Sequence, residues 1–143
     1  MKLGLCNVQT LGGREDRKTM GVGGLHEKGR TRFFQRQFEE LQYSLVGICE
    51  ARTDEGSKNT FGWVMLASGR TKNKANASEL GVEFWANLGF NYGEEAEESW
   101  YLTLNDFKVL HSDPRRILVA VRSSAAPSPE IDVLVAHAPH SHS

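Results

Sequence analysis

The stretch Leu45-Val46-Gly47-Ile48-Cys49-Glu50-Ala51-Arg52 constrains the fold more than any other part of the chain. Five apolar or small residues read as a buried strand, and a carboxylate stands at its end. Burying a carboxylate is costly unless it is paired or holds a metal. The run Leu3-Gly4-Leu5-Cys6 ends the same way on Asn7, and Ile131-Asp132-Val133-Leu134-Val135-Ala136 ends on His137. Three core strands that each deliver a polar group at the same end predict a single site at the edge of a sheet.

The chain has 143 residues, the length of one domain. With 24% charged and 39% apolar residues the composition is globular. Lys plus Arg is 17 against 18 Asp plus Glu, so net charge gives no argument for nucleic-acid binding, and such contacts would need local patches. The two cysteines, Cys6 and Cys49, lie inside apolar runs and read as free, buried thiols of a reducing compartment. If their strands pair in register, Asn7 and Glu50 share one face and the thiols the other. No apolar run approaches the roughly 20 residues that span a membrane. The N-terminus has no signal-peptide apolar region. The expected location is therefore intracellular, cytoplasmic or nuclear, and not secreted.

Strand one is expected over Lys2–Asn7, followed by a polar, glycine-rich loop from Gln9 to Gly29. Thr31–Tyr43 is the convincing helix, with Phe34, Phe38, Leu41 and Leu45 forming an apolar stripe. Phe61–Ala67 is a strand candidate. Ser68–Leu80 reads as a polar loop carrying Arg70, Lys72 and Lys74. From Gly81 to Leu88 the residues alternate, with Val82, Phe84, Ala86 and Leu88 on one side. Glu94-Glu95-Ala96-Glu97-Glu98 is a solvated acidic run. Further strands are expected over Trp100–Leu104, Phe107–Leu110, Ile117–Arg122 and Ile131–His137, the last two joined by a turn-rich segment. One helix and many strands predict an α/β sandwich with a mixed sheet.

Taken together, these residues resemble the endonuclease/exonuclease/phosphatase superfamily, the deoxyribonuclease I-like proteins. The first strand matches through Leu5-Cys6-Asn7-Val8-Gln9-Thr10-Leu11 and the metal-binding strand through Val46-Gly47-Ile48-Cys49-Glu50-Ala51-Arg52. Gly81-Val82-Glu83-Phe84 corresponds to a Gly-started strand, Pro114-Arg115-Arg116-Ile117-Leu118-Val119 to an Arg-led strand, and Val135-Ala136-His137-Ala138-Pro139-His140 to a strand with an aromatic-Ala-Pro ending. The matches run in order along nearly the whole chain, closest to the apurinic/apyrimidinic and non-LTR retrotransposon-type endonucleases.

The resemblance implies the N-terminal half of a four-layer α/β sandwich, so that residues 1–143 form a single partial domain. It implies that Glu50 binds Mg²⁺ or Mn²⁺, a hard cation suited to oxygen ligands. Asn7 would orient the metal or a phosphate oxygen, and His137 would hydrogen-bond the scissile phosphate. Arg52 would contact the phosphate backbone, and Arg70, Lys72 and Lys74 would form a DNA-facing loop. The implied partner is DNA or another phosphodiester substrate. Gln9 stands where some relatives carry an acidic second ligand.

From the residues alone, other roles stay open. Glu50 is equally a strand-end carboxylate paired with Arg52 or Arg116, Asn7 a strand cap, and His137 an edge histidine. His137, His140 and His142 would take adventitious Zn²⁺ or Ni²⁺. Arg70, Lys72 and Lys74 are equally a solvated surface loop.

The sequence contains no Gly-Asp-x-Asn and no Ser-Asp-His element, which in the family position the attacking water and supply the general base. The expectation is therefore a fragment of a Mg²⁺-dependent endonuclease, inactive alone, whose exposed sheet face predisposes it to self-association. The alternatives are a non-catalytic nucleic-acid- or protein-binding relic of the same fold, and a phosphoinositide or sphingomyelin phosphohydrolase relative.

Overall fold

A computed structural model describes residues 3–7, 27–51, 53–69, 81–95, 97–124 and 130–137. Strand β1 (Leu3–Asn7) pairs in parallel with β2 (Leu45–Cys49). Next to β2 runs β5 (Glu83–Asn87), then β4 (Trp63–Ala67) and β3 (Gly56–Thr60), each antiparallel to its neighbour. The five strands form one mixed sheet in the order β1-β2-β5-β4-β3. A second, antiparallel sheet is the meander β6 (Phe107–Asp113), β7 (Arg116–Arg122) and β8 (Glu130–Ala136). Helix α1 (Glu27–Glu40) is the one long helix among the described residues. The architecture is thus α/β, with a mixed sheet, one helix and mostly strands.

Period-two alternation divides the mixed sheet into two apolar faces. Val46 and Ile48 of β2, Trp63 and Met65 of β4 and Trp85 of β5 pack against Phe38 of α1. There Phe38, Trp63 and Trp85 meet pairwise at 5.9–6.2 Å between ring centroids. The opposite positions, Leu45, Val64, Leu66, Phe84 and Ala86, join Ile117, Val119, Val121 and Val135 of the second sheet in the other core cluster. The layers are therefore helix, five-stranded sheet, three-stranded sheet.

The strands β6–β8 bury this face over β2, β4 and β5, which corrects the expectation that its partner layer is absent, while Leu3 and Leu5 of β1 stay 57% and 72% exposed. The expected alternation of Val82, Phe84, Ala86 and Leu88 is present, and all four belong to the inter-sheet cluster.

Several boundaries differ for local reasons. The helix begins before Thr31 and stops at Glu40, because Gln42 adopts a left-handed φ of 62°. The amide of Tyr43 then donates to the carbonyl of Phe38 (2.9 Å) and that of Gln42 to Glu39 (3.1 Å), a Schellman ending with the Phe38–Tyr43 ring contact as its apolar clasp. Leu41 is consequently 54% exposed and falls off the stripe. The strand expected from Phe61 starts at Trp63. Phe61 (φ 53°) and Gly62 (φ 80°) are the two central residues of a tight hairpin turn between Thr60 and Trp63. Its other arm, β3, is wholly exposed, and Gly56-Ser57-Lys58-Asn59-Thr60 carries no apolar alternation to announce it. Residues 100–103 form no strand, and Leu104–Asp106 is a 3-10 turn.

Candidate functional site

Strands β1, β2, β4 and β8 end at one edge of the molecule, where β5 and β7 begin. At this edge Glu50 and His137 come together, with Nε2 of His137 3.4 Å from Oε1 of Glu50. The two side chains are 19% and 17% exposed, so the pair is reachable but sheltered. At that separation they form an ion pair whenever the imidazole is protonated.

Sheet geometry explains how they meet. Val135 points into the inter-sheet core, so His137, two residues on, continues on the same side of its strand. Along β2, residue 50 would by alternation follow Val46 and Ile48 toward the helix. The chain instead turns at Glu50, whose φ is 54°, and the carboxylate reaches the histidine of the other sheet. A left-handed backbone costs a non-glycine residue about 1–2 kcal/mol, and such strain concentrates at functional positions.

The approach of the two strands also depends on Gly47. A Cβ on Gly47 would stand 3.0 Å from both Cγ atoms of Val135. Gly47 precedes Glu50 by three residues and Val135 precedes His137 by two. The missing side chain thus sets how closely β2 and β8, and with them the two polar groups, can lie.

Backbone bonds frame the pair. The amide of Ala51 donates to the carbonyl of Gly81 (2.9 Å), the amide of Gly81 to Pro114 (2.8 Å), and the amide of His137 to Arg115 (2.8 Å). The β6–β7 turn is itself locked by Asp113. Its Oδ1 accepts the amides of Arg115 (2.9 Å) and Arg116 (3.1 Å), and its Oδ2 accepts Arg116 Nε (2.8 Å) and His111 Nε2 (2.7 Å). Hydrogen bonds from Arg116 and then His111 hold the Asp113 carboxyl well below the ordinary carboxylate range. Arg116, one partner considered for Glu50, is thus engaged by Asp113.

The register places Asn7 opposite Cys49, one position short of Glu50, and the β1–β2 ladder ends there. The expected sharing of faces is corrected accordingly. Cys6 lies opposite Ile48 and packs on the helix side, whereas Cys49 belongs to the inter-sheet cluster. Both cysteines are free, on opposite faces of the sheet. Burial raises the pKa of each thiol, and at Cys49 the neighbouring Glu50 and Cys6 add to it. A thiol so held stays protonated and is a poor nucleophile.

Arg52, Arg70, Lys72, Lys74, His140 and His142 lie outside the described residues, as does Gln9. Among the described residues no group of three or more His, Cys, Asp or Glu side chains is arranged to hold a metal, and no helix is long and apolar enough to cross a membrane. At this edge the Glu50 carboxylate is an oxygen donor of the kind a hard cation takes, and the Asn7 backbone ends β1 beside β2. Mg²⁺ sites keep several waters and combine one or two carboxylates with substrate phosphates.

Two neighbours of the site appear in the sequence only as members of matching strands, with no role of their own. Arg115 has an exposed side chain, and its carbonyl is bonded to His137. Glu83 reads as an ordinary strand residue, yet it is 5% exposed. Its Oε2 accepts the Thr53 hydroxyl and its Oε1 the Trp85 indole N–H at 2.7 Å.

No protein-family model, no curated protein and no solved structure matches the chain.

Proposed function

We propose that this chain carries the metal- and phosphate-binding edge of a divalent-cation-dependent phosphodiesterase, of the endonuclease/exonuclease/phosphatase type, acting on nucleic acid. The observation that carries this reading is the meeting of Glu50 and His137 at 3.4 Å, delivered by the ends of strands from two different sheets. The order of elements supports it: a strand ending in Asn7, a helix, a strand leading to Glu50, a Gly-started strand, an Arg-led strand and a strand leading to His137. A helix, a five-stranded sheet and three strands of a second sheet suit a partial four-layer sandwich, in which further strands would extend the meander beyond β8.

In this reading Glu50 would hold Mg²⁺ or Mn²⁺, and Asn7, at the end of the neighbouring strand, would orient the metal or a phosphate oxygen. When bound, the cation would supply Lewis-acid charge to a phosphoryl oxygen. His137, kept 3.4 Å from the Glu50 carboxylate, donates a hydrogen bond to the phosphate and stabilises charge that develops there. Arg115, whose carbonyl holds the His137 amide and whose side chain is exposed, is the described arginine offered for a neighbouring phosphate. Gly-Asp-x-Asn and Ser-Asp-His elements, which in the family supply water activation, are absent from these 143 residues. The 143-residue polypeptide is therefore proposed to bind cation and phosphodiester without turnover.

Calorimetric titration with Mg²⁺, alongside nicking of supercoiled DNA, tests this. The expected result is saturable Mg²⁺ binding that weakens about tenfold or more in Glu50→Gln, with no Glu50-dependent nicking. Mg²⁺ affinity equal in the two proteins overturns the metal role. DNA binding that persists unchanged in Glu50→Ala would favour a purely binding module.

A further inference from the structure

We infer that Glu83 is a positioning residue for Glu50, acting through the hydroxyl of Thr53; the inference rests on the metal-binding reading of Glu50 given above. Glu83 is a carboxylate 5% exposed at the first position of β5, opposite Ile48 and hence at the edge where Glu50 leaves the sheet. Both its oxygens are engaged in different directions. Oε1 accepts the indole N–H of Trp85, two residues along the same strand and itself fully buried, so the carboxylate is fixed to the sheet. Oε2 accepts the hydroxyl of Thr53, three residues after Glu50.

The segment that follows Glu50 is thus stitched to the start of β5 at two points. One is the Ala51 amide on the Gly81 carbonyl (2.9 Å), and the other is Thr53 on Glu83. A left-handed residue reverts to an extended backbone unless its surroundings over-determine it. The Ala51 bond alone fixes the residue next to Glu50. The Thr53–Glu83 bond fixes the direction in which the chain leaves, and so holds the turn at Glu50 that carries its carboxylate to His137. Outer partners of this kind orient the ligand rather than touch the metal.

Glu83→Gln replaces a carboxylate that the fold buries, so the hydrogen bond is better removed from its less buried end. Thr53→Val deletes the hydroxyl at constant shape, and Thr53→Ser retains it. Two readouts apply: Mn²⁺ affinity, and the position of the His137 imidazole resonances in the metal-free protein. Thr53→Val is expected to weaken Mn²⁺ binding several-fold, less than Glu50→Gln does, and to shift the His137 resonances toward their positions in Glu50→Gln. Thr53→Ser is expected to restore both. The inference is overturned if Thr53→Val, folded by its amide dispersion, keeps the parent's affinity and the parent's His137 resonances. Should Glu50→Gln itself leave Mn²⁺ affinity unchanged, the metal reading fails. The His137 resonances then decide alone: a shift in Thr53→Val reversed by Thr53→Ser upholds the positioning role, and no shift overturns it.

Discussion

At Glu50 the chain accepts a strained backbone to bring a carboxylate to a histidine. The φ of 54° penalises every residue but glycine, by about 1–2 kcal/mol. Stability and site therefore pull in opposite directions at this position. Glu50→Gly relieves the strain and is expected to be more resistant to urea than Glu50→Gln, which keeps the backbone penalty and loses the charge. Neither variant is expected to retain divalent-cation affinity. Equal urea midpoints for the two would show that the backbone at position 50 stores no strain.

Acid sensitivity also belongs to single residues. At Glu39, burial alone would raise the pKa, but hydrogen bonds from Trp63 Nε1 (2.7 Å) and Arg32 Nη1 (3.0 Å) outweigh it and the net direction is down. Asp113 is lowered by Arg116 and His111. A carboxylate depressed in the folded state contributes stability that is complete above its ordinary pKa of about 4. That contribution drains as pH falls through the folded value. Urea midpoints are thus expected to fall below about pH 4, less steeply in Glu39→Gln and Asp113→Asn. Unaltered slopes in both variants would remove these carboxylates from the acid response.

Among the elements, those with a strong apolar period were legible and those specified by turn chemistry were not. The run Leu45–Cys49 and the alternation around Phe84 announce buried strands, because each residue has a core to enter. Strand β3 has no such signal. It exists because the Phe61-Gly62 turn folds it back on β4, and Phe at a left-handed turn position is an unusual choice. Gln42 likewise hid the helix end, since glycine or asparagine is the usual left-handed terminator. Gln42→Gly is expected to stabilise the protein by about 1 kcal/mol, read as a higher melting temperature with unchanged helix content. A lower melting temperature would mean that the Gln42 side chain contributes more than its backbone costs.

For the whole molecule, the site is a property of two sheets meeting. Asn7, Glu50 and His137 were legible as polar ends of apolar runs gathered at one edge, but the way Glu50 reaches His137 across two sheets was not, because strand alternation alone sends residue 50 toward the helix. Val46 and Ile48 face the helix, and only the left turn at Glu50 brings its carboxylate to His137 of the other sheet. The separation of the sheets depends on Gly47 against Val135. Gly47→Ala is expected to cost about 1–3 kcal/mol through overpacking and to weaken divalent-cation binding, although it lies outside the site. A fully stable Gly47→Ala protein would show that the sheets can separate freely there.

The most direct test is paramagnetic broadening of the His137 imidazole resonances by substoichiometric Mn²⁺, compared in the parent protein and Glu50→Gln. If Glu50 and His137 form one cation and phosphate site, His137 broadens ahead of the exposed His111 in the parent, and that selectivity disappears in the variant. Equal broadening of His111 and His137, or selective broadening that survives Glu50→Gln, would contradict it.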